Sequence, residues 1–285
     1  MNQYIKFIIN YSNLILGKVS LIFSILLSTL LCYSEENHEK IVSLNTAFTE
    51  AAYVLGKSDK LIACTTFCKS PSGDSRIIKI ANVLNANYEQ ILYLKPDLVV
   101  LSGLTSRNTM QFLDKFKISY KIFYQEKSFK DICDNFIAFG TLLGCYEKAL
   151  EIVNDSILEV ENLKLKNKSI HPKIFMQIGS DPLFTANDNM YLDDLIDYSG
   201  AVNIGKDSKI GYFSTEEVLL KNPDFIIIST MGATAIKDKE EWKRFECINA
   251  VKKNNVYIFD PYALCIMNPK SFVTSLKELS RILHG

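Results

Sequence analysis

Histidine is scarce in this 285-residue sequence, which contains only His38, His171 and His284. One lies near residue 40, one directly before a predicted strand and one beside the C-terminus, so we expect no histidine cluster. Zinc and manganese sites depend heavily on imidazole ligands, and a histidine-based hydrolase needs one beside its nucleophile. The sequence therefore counts against both kinds of site.

Other signatures of catalysis and of nucleic-acid binding are also lacking. No serine lies in a Gly-x-Ser-x-Gly motif, and no glycine-rich phosphate loop is present. Basic and acidic side chains number 32 each, so the chain has no basic excess that would attract a polyanion. What the sequence does have is 48% hydrophobic residues, enough for two globular domains with cores of their own.

Residues 1–34 have the pattern of an export signal. Lys6 and Lys18 precede an apolar run over residues 19–31, whose length suits a signal sequence and is short for a membrane span. This segment contains two lysines and no acid, so the remainder of the chain is also close to neutral. We therefore expect the folded part to lie outside the cytoplasm, in a periplasm or at the outer face of a membrane.

The end of this signal admits three interpretations. Cys32 and Ser34 are small residues at the −3 and −1 positions for cleavage before Glu35. Alternatively, residues 30–32 form a lipobox in which Cys32 is acylated, although Leu31 fits poorly just before the cysteine. An uncleaved anchor is the third possibility. The sequence leaves a soluble protein and a lipoprotein both open.

One segment occurs twice, at residues 89–100 and 216–227. Each copy begins with a glutamate, Glu89 or Glu216, continues as one short amphipathic helix and reaches Pro-Asp seven positions later. Proline and the residue before it end a helix, and the apolar run that follows indicates a buried parallel strand. Because the spacing matches in both copies, the sequence predicts two similar lobes.

The remaining pattern alternates strands with helices, which predicts parallel, helix-covered sheets and an α/β fold. Residues 128–168 contain no proline and have helical periodicity, with a break between Gly140 and Gly144. The second helical piece, residues 146–165, would be about 30 Å long at ~1.5 Å per residue. We accordingly divide the chain into four parts: an export signal over 1–34, an N-terminal α/β lobe over 39–127, a helical connector over 128–168 and a C-terminal α/β lobe over 169–285.

Short motifs follow each other in a fixed order along the chain. They are Ile41-Val42-Ser43-Leu44 with Thr49-Glu50, Phe67-Cys68 before Pro71, Asn87-Tyr88-Glu89, Leu94-Lys95-Pro96-Asp97-Leu98-Val99, Leu142-Leu143-Gly144, Gly200-Ala201-Val202-Asn203-Ile204, Ser214-Thr215-Glu216, Asn222-Pro223-Asp224 and Ala250-Val251-Lys252 before Val256-Tyr257. In this order and spacing the chain resembles the iron-siderophore, haem and cobalamin class of ABC-transporter substrate-binding proteins. The likeness runs from about Ile41 to the C-terminus.

This resemblance implies a class III periplasmic-binding-protein architecture, in which one rigid helix joins two α/β lobes and the ligand lies in the cleft between them. It implies no catalysis and no covalently bound cofactor; the transported ligand would be an iron- or cobalt-containing chelate.

The resemblance also implies that Glu89 and Glu216 dock onto arginines of a permease dimer driven by a cytoplasmic ATPase. Both glutamates lie at predicted helix N-termini, where the helix dipole favours a carboxylate. Glu217 is an alternative to Glu216. We expect a monomer that contacts the membrane only through the permease or a lipid anchor.

Ligand contacts are expected from loops at the C-terminal ends of the strands, where open α/β sheets place their ligands. The candidates are Thr46, Phe48, Phe67, Cys68, Asn85, Leu104, Thr105, Phe184, Tyr212, Met231, Tyr262 and Met267. Aromatic and methionine side chains suit a flat or macrocyclic ligand. These loops offer few arginines beyond Arg76 and Arg107, which favours haem, a corrinoid or a neutral chelate over an anionic catecholate siderophore.

Six cysteines follow Cys32, and six cysteines allow fifteen disulfide patterns. Cys247 and Cys265 flank one predicted strand, and we predict a disulfide between them. Cys64 and Cys68 support a rival interpretation, an exported thiol or redox enzyme, although Cys-x-x-x-Cys is not the Cys-x-x-Cys redox motif. A third interpretation is a surface protein that has the fold without the transport function.

Overall fold

The computed structural model describes five stretches of the chain, residues 38–68, 76–81, 86–167, 171–230 and 234–285. The predicted export signal with Cys32 lies outside the described residues, and so do the candidate ligand contacts Asn85 and Met231. Within the described stretches, the chain folds into two open β-sheets covered by helices.

The first sheet contains five parallel strands in the order β3-β2-β1-β4-β5. Its strands are β1 (Ile41–Ser43), β2 (Leu61–Thr65), β3 (Ile78–Ala81), β4 (Leu98–Ser102) and β5 (Tyr120–Phe123). Its helices are α1 (Thr46–Leu55), α2 (Tyr88–Leu94) and α3 (Arg107–Lys115). The short edge strand β3 is the one that the sequence pattern did not predict.

Helix α1 shows how local sequence determines these boundaries. The side chain of Asn45 accepts a hydrogen bond from the Ala47 N–H at 3.1 Å and so caps the first turn. The helix ends at Gly56, whose φ of 71° is left-handed, and the Gly56 N–H donates to the carbonyl of Tyr53. Both ends are as the sequence predicts.

Two helices connect the sheets: α4 (Phe129–Leu142) and α5 (Tyr146–Lys166). They pack closely at Gly140, where an added Cβ would lie 2.4 Å from the Cβ of Ala149. The chain turns between them at Gly144, whose φ is 65°. The predicted helical connector with its break is therefore present, and α5, with 21 residues, is about 30 Å long.

The second sheet has the order β10-β9-β6-β7, with β8 beside the start of β6. Its strands are β6 (Lys173–Ser180), β7 (Leu183–Thr185), β8 (Val202–Asn203), β9 (Phe225–Ile228) and β10 (Val256–Ile258). Strand β7 runs antiparallel to β6 after a turn that contains the cis Asp181–Pro182 bond. The alternating pattern of strands and helices did not predict this hairpin.

Helices again cover the second sheet. They are α6 (Tyr191–Tyr198), α7 (Thr215–Lys221), α8 (Thr234–Trp242), α9 (Asn249–Lys252), α10 (Pro261–Cys265) and α11 (Pro269–His284). Helix α10 occupies a stretch that the sequence pattern left as a loop. It begins at Pro261, and the side chain of Asp260 caps it by accepting from the Tyr262 N–H at 2.9 Å.

One apolar core extends from the first sheet through α4 and α5 to the second sheet and α11. Phe129 at the start of α4 stacks on Phe272 of α11 with ring centroids 4.4 Å apart. The Phe129 N–H also donates to Asp194 Oδ2 of α6 at 2.7 Å. The predicted α/β fold with two parallel-rich, helix-covered sheets is confirmed, while the lobe boundaries at 127/128 and 168/169 stay a prediction.

Candidate functional site

Exposed apolar side chains follow three strands of the first sheet. Phe67 comes after β2, Leu104 after β4 and Tyr124 after β5. Because these strands are parallel, their carboxyl ends share one edge of the sheet, which is where open α/β sheets bind ligands. Tyr124 is not among the residues that the sequence predicted. It directly follows a predicted strand, so the rule that selected Phe67 would also have found it.

The loop after β4 is a tight turn that leaves Leu104 exposed. Thr105 Oγ1 accepts from the Ser102 N–H at 3.1 Å, and the Thr105 N–H donates to the Ser102 carbonyl at 3.0 Å. Thr105 is therefore mostly buried as the support of a tight turn, and its contact with a ligand stays a prediction. The Gly103 N–H donates to the Phe123 carbonyl at 3.0 Å, which holds this loop beside Tyr124.

Two more predicted ligand contacts are part of the core. The Phe48 ring stacks on Phe123 at 3.9 Å between centroids and meets Phe139 edge-on at 5.0 Å. Met267 is also buried and packs into the same core. Neither side chain faces solvent, so neither can contact a ligand in this structure. Thr46, the first residue of α1, is half-buried beside the β1 end of the sheet.

The second sheet presents Phe184, Tyr212 and Tyr262. The rings of Phe184 and Tyr212 meet edge-to-face with centroids 5.3 Å apart. Gly211 permits this contact, since its φ is 83° and an added Cβ would lie 2.5 Å from Phe184 Cζ. Phe184 lies on β7 opposite Gly179, near the carboxyl end of β6. Tyr212 is exposed and Tyr262 partly exposed, so both are available to a ligand.

A buried polar network supports the carboxyl ends of β6 and β9. Asp238 Oδ2 accepts from Ser180 Oγ at 2.6 Å and from Thr230 Oγ1 at 2.8 Å. Beside it, the Trp242 Nε1–H donates to Gln177 Oε1 at 2.6 Å. These contacts fix the two strand ends against α8. This role of Asp238 is not predictable from the sequence, because Asp238 lies in a run of charged residues that is typical of a solvated helix face.

Cys64 and Cys68 lie together under the first sheet's edge. Lys79 Nζ is 3.2 Å from Cys64 Sγ and donates to the Cys68 carbonyl at 2.7 Å. A hydrogen bond from Cys64 is the main cause that lowers the pKa of Cys68 to about 5, and contacts with Thr49 and Thr65 add to it. Both thiols are buried. The pair therefore offers no open thiol site in this structure, and the contact of Cys68 with a ligand stays a prediction.

The predicted disulfide is not formed, because Cys247 and Cys265 are both free and exposed. Cys247 precedes α9, which is joined to the amino ends of the strands by the bond from the Ala250 N–H to the Pro223 carbonyl. Cys265 follows β10 at the opposite edge. A three-residue strand spans about 10 Å, whereas a disulfide needs Cα atoms about 5.5–6 Å apart.

Glu89 and Glu216 occupy the same position in α2 and α7. Each is the second residue of a seven-residue helix, capped by Asn87 in one case and Ser214 in the other. Both carboxylates are exposed. The Glu217 carboxylate instead accepts from the Ser214 N–H at 2.8 Å in a capping box. Glu216 is therefore the structural equivalent of Glu89.

No helix in the described stretches is long and apolar enough to cross a membrane. Within the same stretches, no three histidine, cysteine or acidic side chains come together in a way that could hold a metal ion. The candidate site thus consists of exposed aromatic and aliphatic side chains on two sheet edges.

Two helix-covered sheets joined through α4 and α5, with exposed apolar side chains at the strand ends of each, form an arrangement suited to binding a solute. A family model described as "Periplasmic binding protein" matches residues 41–263, and the chain belongs to this family. The family resemblance seen in the sequence is thereby confirmed. This family consists of binding proteins, so the protein is not an enzyme and the redox-enzyme interpretation is wrong.

Relatives and solved structures give the same result. The chain is 27% identical to the uncharacterized ABC transporter substrate-binding lipoprotein YvrC of Bacillus subtilis over 256 residues, 86% of this chain and 80% of that protein. It is 29% identical to the vitamin B12-binding protein of Vibrio cholerae over 225 residues, 77% and 80% of the two chains. The crystal structure of the Vibrio cholerae vitamin B12 binding protein BtuF matches with a TM-score of 0.73 and 25% identity, covering 86% of this chain and 96% of that chain. The haem binding protein HutB of the same species has the same fold, with a TM-score of 0.77, 18% identity and coverage of 86% and 99%.

Proposed function

We propose that this protein captures a flat or macrocyclic metal chelate, namely a corrinoid, haem or a neutral ferric chelate, between its lobes. The observation that carries the proposal is the set of exposed apolar side chains at the strand ends of both sheets. Phe67, Leu104 and Tyr124 supply this surface on one lobe, and Tyr212 and Tyr262 supply it on the other. Aromatic faces bind flat ligands by stacking and by removing apolar surface from water.

The charged side chains near the proposed surface narrow the class of ligand. An anionic catecholate siderophore would need several cations, because a buried negative charge is costly without partners. Arg107 and Arg76 are the arginines next to the proposed surface of the first lobe, and both are exposed. The described side chains that form this surface, namely Phe67, Leu104, Tyr124, Tyr212 and Tyr262, are uncharged, and charged residues such as Lys209 lie beside Tyr212. The uncharged side chains favour a ligand whose charge is low or is neutralised by its own metal.

Delivery to an ABC permease is the second half of the proposal. The relatives include an ABC transporter substrate-binding lipoprotein and vitamin B12-binding proteins, which supports the same role here. The glutamates Glu89 and Glu216 would face arginines of the permease dimer, which a cytoplasmic ATPase drives. The protein would be exported and monomeric, either soluble in a periplasm or anchored through an acylated Cys32.

A titration tests the ligand. We would add cyanocobalamin, haemin, ferrichrome and ferric enterobactin to the purified protein and follow heat release and visible absorption. We expect sub-micromolar affinity for at least one of the first three and weaker binding of the catecholate complex. Phe67→Ala and Leu104→Ala should each weaken binding by about tenfold or more, from the apolar area they lose.

Phe116→Ala is the matched control, since Phe116 is exposed on the same lobe but lies at the C-terminal end of α3. Its affinity should equal that of the unmodified protein. Failure of all four compounds to bind would contradict the proposed ligand class. Equal losses in Phe67→Ala and Phe116→Ala would contradict the proposed surface.

A further inference from the structure

Each of the two helices that hold the candidate docking glutamates also has one large apolar side chain that is almost fully exposed, whereas Leu92 of α2 is only 36% exposed. Tyr93 of α2 is 85% exposed and Leu220 of α7 is 86% exposed. Single apolar residues on a surface need no explanation. These two, however, occupy the same position of the internal repeat, four residues after Glu89 and four residues after Glu216.

Helix geometry places each pair on one surface. Residues four apart lie on the same face of an α-helix, one turn from each other. Glu89 and Tyr93 are therefore neighbours on the outer face of α2, as Glu216 and Leu220 are on α7. Each lobe presents an exposed carboxylate with an exposed apolar side chain one turn further along the helix.

Helices α2 and α7 are also buried and terminated at equivalent positions. One residue of each is fully buried against its sheet, Ile91 in α2 and Val218 in α7, and these too are equivalent positions. Both helices end at a residue with a φ of 47°, Lys95 and Asn222. The equivalent anchors and ends give the two pairs a corresponding orientation on the two lobes.

We propose that Tyr93 and Leu220 are apolar anchors of the surface that docks onto the permease, one beside each glutamate. This inference rests on the proposed function. The repeated surface fits a partner that offers the same recess twice, as a two-fold dimer does. Each recess would hold a basic side chain for the carboxylate and, about one helical turn away, an apolar hollow for Tyr93 or Leu220. Tyr93 and Leu220 are different residues, but both are large and apolar. The property that the two anchors share is therefore their apolar area.

The charged contact and the apolar contact can be told apart by their salt dependence and by the rate they affect. Exposed charges govern encounter and are weakened by salt, whereas a buried apolar side chain slows dissociation and is little affected by salt. Binding of the ligand-free protein to its cognate permease–ATPase complex in lipid nanodiscs, followed by surface plasmon resonance at low and high salt, measures both. We expect Tyr93→Ala and Leu220→Ala each to weaken docking by about tenfold, mainly through faster dissociation.

Conservative and control variants complete the experiment. Tyr93→Leu and Leu220→Met keep apolar area and should retain docking within about threefold. Leu158→Ala removes an exposed leucine from α5, far along the chain from either pair, and should dock like the unmodified protein. Chelate binding, tested with the compounds named above, should be unchanged in every variant.

The outcomes separate this inference from the proposed function. Normal docking of the Tyr93→Ala/Leu220→Ala double variant would overturn the apolar anchors, while a loss in Glu89→Ala/Glu216→Ala would leave the glutamate contacts standing. A loss no larger than that of Leu158→Ala would also overturn them. If the unmodified protein does not bind the permease at all, the proposed delivery fails and the anchors fail with it.

Discussion

The carboxylate of Asp224 holds the backbone of Lys173. The Lys173 N–H donates to Asp224 Oδ2 at 3.1 Å, and the Asp224 N–H donates to the Lys173 carbonyl at 2.8 Å. The first lobe repeats this clamp, because the Lys40 N–H donates to the Asp97 carboxylate at 3.1 Å and the Asp97 N–H donates to the Lys40 carbonyl at 3.0 Å. The aspartate of each Pro-Asp pair thus ties the start of the strand that follows it, β4 or β9, to the start of the neighbouring strand, β1 or β6.

Removing the clamp should destabilise the fold. Asp224→Ala leaves the Lys173 N–H without its carboxylate, and we expect it to lower the free energy of unfolding by about 1–2 kcal/mol. Asp97→Ala should lower it by less, because solvent screens the more exposed Asp97. Urea unfolding measures both. Asp155→Ala, an exposed change within α5, is the control, and an equal effect there would contradict the clamp.

The docking glutamates should affect transport and not folding. In Glu89→Ala/Glu216→Ala, we expect unchanged chelate affinity and unfolding midpoint, since both carboxylates are exposed and neither is among the proposed ligand contacts. Uptake into proteoliposomes that contain the permease and ATPase should fall by about tenfold or more, because charges at an interface rim control encounter and docking. Reversal to lysine should be worse than alanine.

Glu217→Ala is the matched control for this prediction. It removes the capping-box carboxylate of α7 and should lower stability without lowering uptake. Normal uptake by the double variant would reduce Glu89 and Glu216 to ordinary charges at helix starts. Reduced uptake by Glu217→Ala in a stable protein would assign the docking role to Glu217 instead.

Asp194 makes stability depend on pH. Burial raises the pKa of the Asp194 carboxyl group, and the hydrogen bond from the Phe129 N–H only partly offsets this. A raised pKa means that the folded state binds a proton more tightly than the unfolded state. The resulting stabilisation is present below the ordinary aspartate pKa and is lost as pH rises through the raised one.

Asp194→Asn removes this titration and keeps an oxygen acceptor for the Phe129 N–H. We expect the free energy of unfolding of the unmodified protein to fall relative to Asp194→Asn as pH rises from the ordinary aspartate pKa through the raised one. Asp194→Ala should lower the free energy of unfolding at every pH, since it leaves the Phe129 N–H without a hydrogen-bond acceptor. Parallel pH profiles for the unmodified protein and Asp194→Asn would contradict the assignment.

Thiol labelling tests the placement of the cysteines. In the folded protein, iodoacetamide should modify Cys247 and Cys265, which are exposed, and should spare Cys64 and Cys68, which are buried. All four should react after unfolding. Peptide mass spectrometry identifies the sites. Rapid native labelling of Cys68 would show an open thiol and would reopen a redox role.

The connection between the lobes should limit their motion. Bending a continuous helix breaks backbone hydrogen bonds unless proline or a comparable defect is present, and α5 has neither. We expect small-angle scattering to give nearly the same radius of gyration with and without a bound chelate. A contraction of several ångströms would show that the lobes close by a hinge.

The sequence alone was sufficient for the α/β class, the internal repeat and most helix boundaries. These features depend on neighbouring residues: an asparagine caps the next turn, a proline ends a helix and a β-branched run forms a buried strand. The positions of Glu89 and Glu216 were predictable for the same reason.

Tertiary structure decided which side chains are exposed. Phe48 and Phe67 both follow a strand of the first sheet, yet Phe48 is 4% exposed and Phe67 is 61% exposed. The difference arises because Phe123 and Phe139, far away in the chain, cover one ring and leave the other free. The burial of Asp238 was likewise determined by a partner distant in sequence, Ser180. Local rules cannot supply such contacts, because burial is a property of the assembled core.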